Sequence, residues 1–249
     1  MMRIGTTSYI YPANIITNVR RLAGRVQDVE LVLFEVNDPR WDLPNAAVIR
    51  ELRQIALNNA STYTVHLPLN LGLAGSHPNL DLARRVISGT LDLDPYAFII
   101  HVEDGPWKAS NKLETWVENS KKSLELIGEA TGVLEKLCVE NLEDRPSSLM
   151  DSILASLPVS CCVDIGHLWK QGLDPLPYLE SWLPRMRVAH LHGVGRRDHQ
   201  KLSVMSTSRV NPVINLLQKE FGGVLTIEVF NETDLIDSLA MLRELGLPS

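Results

Sequence analysis

The stretch RVAHLHGVGRRDHQ, residues 187–200, places three of the chain's seven histidines within fourteen residues. Its first part, VAHLH, alternates like the end of a strand and sets His190 and His192 on one side. The second part, GVGRRDHQ, is a glycine-broken, charged loop. Working outward, short runs rich in Val, Ile and Thr recur along the whole chain. They are RIGTTSY (3–9), VELVLFE (29–35), TYTVHLP (62–68), AFIIHVE (97–103), KLCVENLE (136–143), VSCCVDIGH (159–167), RVAHLHG (187–193) and VLTIEVFN (224–231). Most are apolar on both faces, as strands of a buried parallel sheet must be. Between them lie segments with apolar residues at three- and four-residue spacing, which predict helices over 45–59, 111–132, 209–223 and 232–246.

Eight strand–helix units in 249 residues match the number and size of a (β/α)₈ TIM barrel, an α/β fold whose right-handed crossovers carry each parallel strand to the next. A doubly wound open sheet is the weaker alternative. No linker, low-complexity tract or charge block divides the chain, so residues 1–249 are read as one domain.

Composition narrows the function. Hydrophobic residues make up 45% of the chain and charged residues 22%, which suits a globular protein with a full core. A net charge of −6 argues against a general polyanion-binding surface, so a nucleic acid is not expected as partner. Cys138, Cys161 and Cys162 are odd in number and strand-bound, which fits buried thiols in a reducing compartment. With neither a signal-peptide pattern at the start nor an apolar run of membrane-spanning length, the expectation is a cytoplasmic protein without a membrane partner.

His66, His101, Glu140, Asp164, His192 and Glu228 each fall at or near the C-terminal end of a proposed strand, at intervals of 24 to 39 residues. In a barrel those ends converge on one face. Three histidines and three carboxylates without a thiolate suit Zn²⁺, Mn²⁺ or Fe²⁺. Three carboxylates buried together would otherwise repel one another, so a cation is the simplest way to keep them ionised.

The ordered set His, His, Glu, Asp-x-x-His, His, Glu resembles the xylose isomerase-like barrel superfamily, which includes sugar isomerases, epimerases and AP endonucleases. The resemblance implies that Glu140, Asp164, His192 and Glu228 share one metal. In the endonuclease branch it further implies a second metal on His66 and His101, bridged by Glu140, and a third on His167 with an Asp-x-His pair. Here Asp198 and His199 are adjacent instead, so they can share a metal only if the loop bends sharply. Two or three divalent transition-metal ions per chain are therefore expected. A pair of such ions suits phosphoester hydrolysis.

Within that superfamily, RIGTTSYIYPANIITNVRRLAGRVQDVELVLFE (3–35) followed by YTVHLPLNLGL (63–73) resembles the cobamide-remodelling phosphodiesterases. What this implies is a small-molecule substrate, a cobamide whose nucleotide-loop phosphodiester is hydrolysed to release a cobinamide. Glu140 and Glu228 would act in catalysis. Glu35 is a further catalytic candidate, as a general base in a sugar-isomerase reading or a hydrogen-bonding group in a phosphodiesterase reading. The substrate candidates are Tyr9, Asn70, Asn141, Trp107, Trp169 and His190, with Arg196, Arg197 and Lys201 as phosphate contacts; His190, on the same face as His192, is also a candidate to support a metal ligand or to serve as one. The alternative function is a sugar or sugar-phosphate isomerase or epimerase working with a single metal.

Overall fold

Alternation of apolar and small residues with β-branched ones gives eight short strands: β1 (Arg3–Thr7), β2 (Asp28–Val32), β3 (Thr62–His66), β4 (Phe98–Ile100), β5 (Leu137–Glu140), β6 (Ser160–Asp164), β7 (Met186–Leu191) and β8 (Val224–Ile227). All pair in parallel and in sequence order, and β8 closes on β1. The result is a (β/α)₈ barrel. The chain is described here from a computed structural model covering residues 1–34, 43–103 and 113–247.

Outside the strands run α1 (Ile15–Leu22), α2 (Ala46–Asn59), α3 (Leu80–Thr90), α4 (Leu113–Thr131), α5 (Ser148–Leu154), α6 (Ile165–Lys170), α7 (Pro175–Trp182), α8 (Thr207–Glu220) and α9 (Glu232–Glu244). Caps set several of their starts. The side chains of Asn14, Asn45, Asn79, Asp174 and Asn231 each accept a first-turn amide hydrogen. Helix α8 spans 207–220 rather than 209–223, because it starts right after Ser206 and stops before Gly222 and Gly223, where helix propensity collapses. None of the described helices is long and apolar enough to cross a membrane.

The main core lies between strands and helices, and a smaller cluster of Ala97, Ile99, Cys138, Cys162 and Val188 fills the barrel interior. Cys161 faces the outer layer, and all three thiols are free and buried. Inward positions recur every second residue. Going up from that interior plug, Ile99 leads to His101, Cys138 to Glu140, Cys162 to Asp164, and Val188 to His190 and His192. The apolar floor thus gives way to a polar rim at the C-terminal mouth.

The β6–β7 pairing is not regular. Cys161 faces Met186 but Cys162 faces Val188, so the register slips by one residue at Arg187. Beyond this bulge Asp164 pairs with His190, and both point inward.

A histidine and carboxylate cluster at the barrel mouth

Glu140 ends β5 at the centre of the rim, and its side chain is 1% exposed. Its two oxygens face different groups. Oε2 lies 3.4 Å from His66 Nε2 and 3.0 Å from His101 Nε2. Oε1 lies 3.4 Å from His190 Nδ1 and 3.7 Å from His167 Nδ1. One carboxylate therefore joins the set His66, His101, Glu140 to the set Glu140, Asp164, His190, Glu228.

The second set is the more deeply buried. His190 Nδ1 sits 3.1 Å from Glu228 Oε2 and 4.0 Å from Asp164 Oδ2. None of these three atoms has an aligned hydrogen-bond partner, although all are shut off from solvent. Buried polar atoms are rarely left this way, and such convergence of lone pairs fits a cation site. Among the described residues, every ion-pair contact of Glu140, Asp164 and Glu228 comes from a histidine.

The outer nitrogens of the histidines are tied down, which is how metal-ligating imidazoles are usually held. His66 Nδ1 donates to the Leu67 carbonyl at 2.9 Å and His167 Nδ1 to the Asn141 carbonyl at 2.9 Å; a carbonyl only accepts, so each Nε2 is left free to bind. His101 Nδ1 donates to Glu103 Oε1 at 2.8 Å. Burial alone would lower the His101 imidazole, but Glu140 and Glu103 outweigh it and raise it to about 10. Burial would likewise raise Glu140, yet His190 and His101 hold its carboxyl well below the ordinary range. Without an ion, these imidazoliums supply the positive charge that a divalent ion would otherwise bring.

A third set combines Asp164, His167, His192 and His199, and a fourth Glu143, His167 and Asp198. Gly193 and Gln200 exchange backbone hydrogen bonds at 2.8 and 3.1 Å, which closes the loop between them. His199 then takes a left-handed backbone, φ 51°, uncommon for a residue with a side chain. This is the sharp bend that lets adjacent Asp198 and His199 both face His167. Lys170 holds the Asp198 carboxylate, which with His199 lowers it to about 2 against the opposing effect of burial. Burial would lower His199, but chiefly Glu228, 3.3 Å away, raises it to about 10.

The two β7 histidines exchange the places expected from sequence. His192 does not join Glu140 and Glu228; it lies 3.2 Å from Asp164 Oδ1, and its ring stacks on His199 at 4.2 Å. The amide of His199 points at His192 Nδ1 at 3.0 Å, and the Gly193 carbonyl lies 3.3 Å from the same atom, while Nε2 faces Asp164. The reason is register. Asp164 pairs with His190, and His192 stands one inward position higher.

Other expected residues are dispersed. Trp169 is buried in α6 and packs in the core, because α6 follows β6 at once and turns its apolar side onto the barrel; it does not line the mouth. Lys201 pairs with Asp237 of α9 at 3.3 Å, away from the cluster. Asn141 holds the end of β6 by bonding both the amide and carbonyl of Asp164, at 2.8 and 2.9 Å. Arg196, Arg197 and Asn70 are exposed on loops at the mouth, and exposed Tyr9 lies edge-on to Phe230 at 6.4 Å. Glu35 and Trp107 lie outside the described residues. Sequence reasoning missed Glu30, Glu103 and Glu143: Glu30 lies inside β2, and Glu103 and Glu143 each stand three residues past the last residue of β4 and β5. Glu103, two residues beyond His101, was the most legible of them.

Beside the cluster, between the β1–α1 and β2–α2 connections, lies a cavity of about 960 Å³ lined by residues that include Tyr9, Tyr11, Ile16, Leu33, Phe34 and Phe230. It adjoins the histidines: Phe34 packs edge-on to His66 at 4.7 Å and Phe230 lies 5.3 Å from His199.

No family model matches the chain, and no curated protein does. Solved structures do. A D-tagatose 3-epimerase-like protein superposes with TM-score 0.81 at 19% identity, over 98% of this chain and 97% of its own. Endonuclease IV from Thermus thermophilus gives 0.74 at 18% identity, over 98% of each chain. These superpositions show a shared (β/α)₈ barrel fold. A xylose isomerase domain protein from Planctomyces limnophilus has the same architecture at TM-score 0.70 and 13% identity, over 97% of this chain and 95% of its own.

Proposed function

We propose that this chain is a metal-dependent phosphodiesterase that hydrolyses the nucleotide-loop phosphodiester of a cobamide. One observation carries the hydrolytic reading: Glu140 turns one oxygen to His66 and His101 and the other to the set containing His190. A carboxylate so placed could serve two cations at once, and such a pair would suit in-line displacement at phosphorus. His66, His101 and Glu140 would hold one divalent ion, and Glu140, Asp164, His190 and Glu228 another. His167, His199 and Asp198 are candidates for a third. Bound ions supply Lewis-acid stabilisation of the charge that builds on the phosphoryl oxygens.

Water adds at phosphorus, the ester P–O bond breaks, and the leaving oxygen takes up a proton. The substrate class rests on the resemblance of residues 3–35 and 63–73, and the apolar cavity beside His66 and His199 has room for a bulky organic group. Glu228, held well below the ordinary carboxyl range by His190 and His199 against the effect of burial, is ionised in this protein.

A second reading, a sugar epimerase or isomerase with one metal in the Glu140, Asp164, His190, Glu228 set, is favoured by the solved structures, among which D-psicose and D-allulose 3-epimerases recur. It leaves His66 and His101 without a role. The deciding experiment incubates metal-loaded protein anaerobically with a coenzyme-form cobamide and, separately, with a panel of ketoses and ketose phosphates. Release of a cobinamide is expected. Epimerisation of a ketose with an intact cobamide would establish the second reading in its place.

A further inference from the structure

Glu30 lies in the middle of β2, 160 residues from His190, and both side chains are fully buried. Its Oε2 is 2.9 Å from His190 Nε2, and its Oε1 has no hydrogen-bond partner. Among the described residues its ion-pair contact is with His190. A carboxylate in the interior of a barrel is costly unless it is bonded and its charge is balanced, so chance packing does not account for it. Glu30 belongs to none of the metal-capable sets, because it touches the edge of the imidazole that faces away from them.

We propose that Glu30 is a positioning residue for the deeper metal site: it fixes the proton of His190 on Nε2 and so presents Nδ1 to the space shared by Glu140, Asp164 and Glu228. This rests on the metal-dependent reading above. The geometry gives His190 a different mode from its neighbours. His66 and His167 keep the proton on Nδ1 and present Nε2, and each is backed by a neutral carbonyl. His190 presents the nitrogen nearer its own backbone and is backed by a full negative charge.

Two consequences follow. Nδ1 has the shorter reach, so an ion held by it would be drawn toward the β7 backbone. A carboxylate behind the imidazole also makes it a stronger donor than a carbonyl does. The site already holds three carboxylates, so Glu30 raises the contrast with the set of His66 and His101, which has one. Ions should therefore leave in order under a competing chelator, the His66 and His101 site first.

The test uses the full-length chain loaded with Zn²⁺. Titration against a chromophoric chelator is expected to resolve a weaker and a tighter class in the wild type. Glu30→Gln, which keeps an acceptor but loses the charge, should weaken the tighter class by about 10-fold, and Glu30→Leu by up to about 100-fold, with the weaker class unchanged. On the wild type itself, nitrogen-15 spectra of histidine-labelled, Zn²⁺-loaded protein should give His190 the Nε2–H form and His66 and His167 the Nδ1–H form. An Nδ1–H form at His190, or wild-type affinity in both variants with circular dichroism intact, overturns the role of Glu30 while leaving metal dependence standing. A wild type that takes up no ion overturns both.

Discussion

At the scale of single residues, Glu140 is the carboxylate that faces four histidines and belongs to two sets at once. Gln keeps its size and removes the charge, so Glu140→Gln should lower affinity at both sets together and abolish cobinamide release, while circular dichroism stays as in the wild type. Near-normal hydrolysis by the folded variant would sink the bridged arrangement. Gly166, in the DIGH sequence, is a second case. A Cβ there would lie 2.2 Å from His192 Cε1 and Nε2, so Gly166→Ala must push that ring away. Loss of stability of a few kcal/mol on chemical denaturation, with disordered binding at the His167 and His199 set, is expected. The residue types at the strand ends were legible in the sequence, because chemistry and repeat spacing mark them together. Which β7 histidine reaches Glu140 was not, since His190 and His192 share a face and only the level of each along the barrel axis separates them.

At the scale of elements, strand ends and helix starts are used twice. Asp164 ends β6 and caps α6, its Oδ1 accepting the His167 amide at 2.7 Å, while its other oxygen faces the cluster. The two duties can be separated. Asp164→Asn retains a capping acceptor, whereas Asp164→Ala loses it, so in metal-free protein the alanine variant should be the less stable by about 1 kcal/mol in urea melts. Both should lose the tighter metal class. Strands and the longer helices were readable from periodicity, and their ends were set by caps and glycines within two or three residues. The bulge between β6 and β7 was not readable. Nothing in the composition of CCVD or MRVA announces it, because a slip of one residue is settled by how two strands fit across space.

For the whole molecule, the polar rim is held at the expense of stability. Addition of Zn²⁺ should raise the melting temperature and excess chelator should lower it, since an ion that binds only the folded chain adds to its stability in proportion to the logarithm of its concentration. A second effect arises at Asp28, on the inward side of β2, where Thr62 and Thr64 donate to its carboxylate at 2.5 and 2.9 Å. Burial pushes this carboxyl up to about 6, against the opposing hydrogen bonds and Arg3. A raised carboxyl favours the fold while it is protonated. That contribution is complete below the ordinary value near 4 and is lost as pH rises through about 6, a difference worth roughly 3 kcal/mol. Asp28→Asn cannot ionise, so its stability relative to wild type should grow between pH 4 and pH 8; a constant difference across that range in urea melts would refute this account.

Of the eight strands, β1 alone adds no histidine or carboxylate to the rim among the described residues: the set draws on β3 through β8 or on the residues directly after them, and Glu30 ties in β2. What holds β1 is its backbone ladder and the hydroxyls of Thr6 and Thr7, which donate to the carbonyls of Ile227 and Val229 at 2.8 and 2.9 Å. Loading with metal should therefore slow amide hydrogen exchange unevenly around the barrel. Protection should rise in seven strands that are cross-linked through one polar knot and change least in β1, whose amides continue to open locally. The seam that gains least protection is then the one beside Tyr9 and the large apolar cavity.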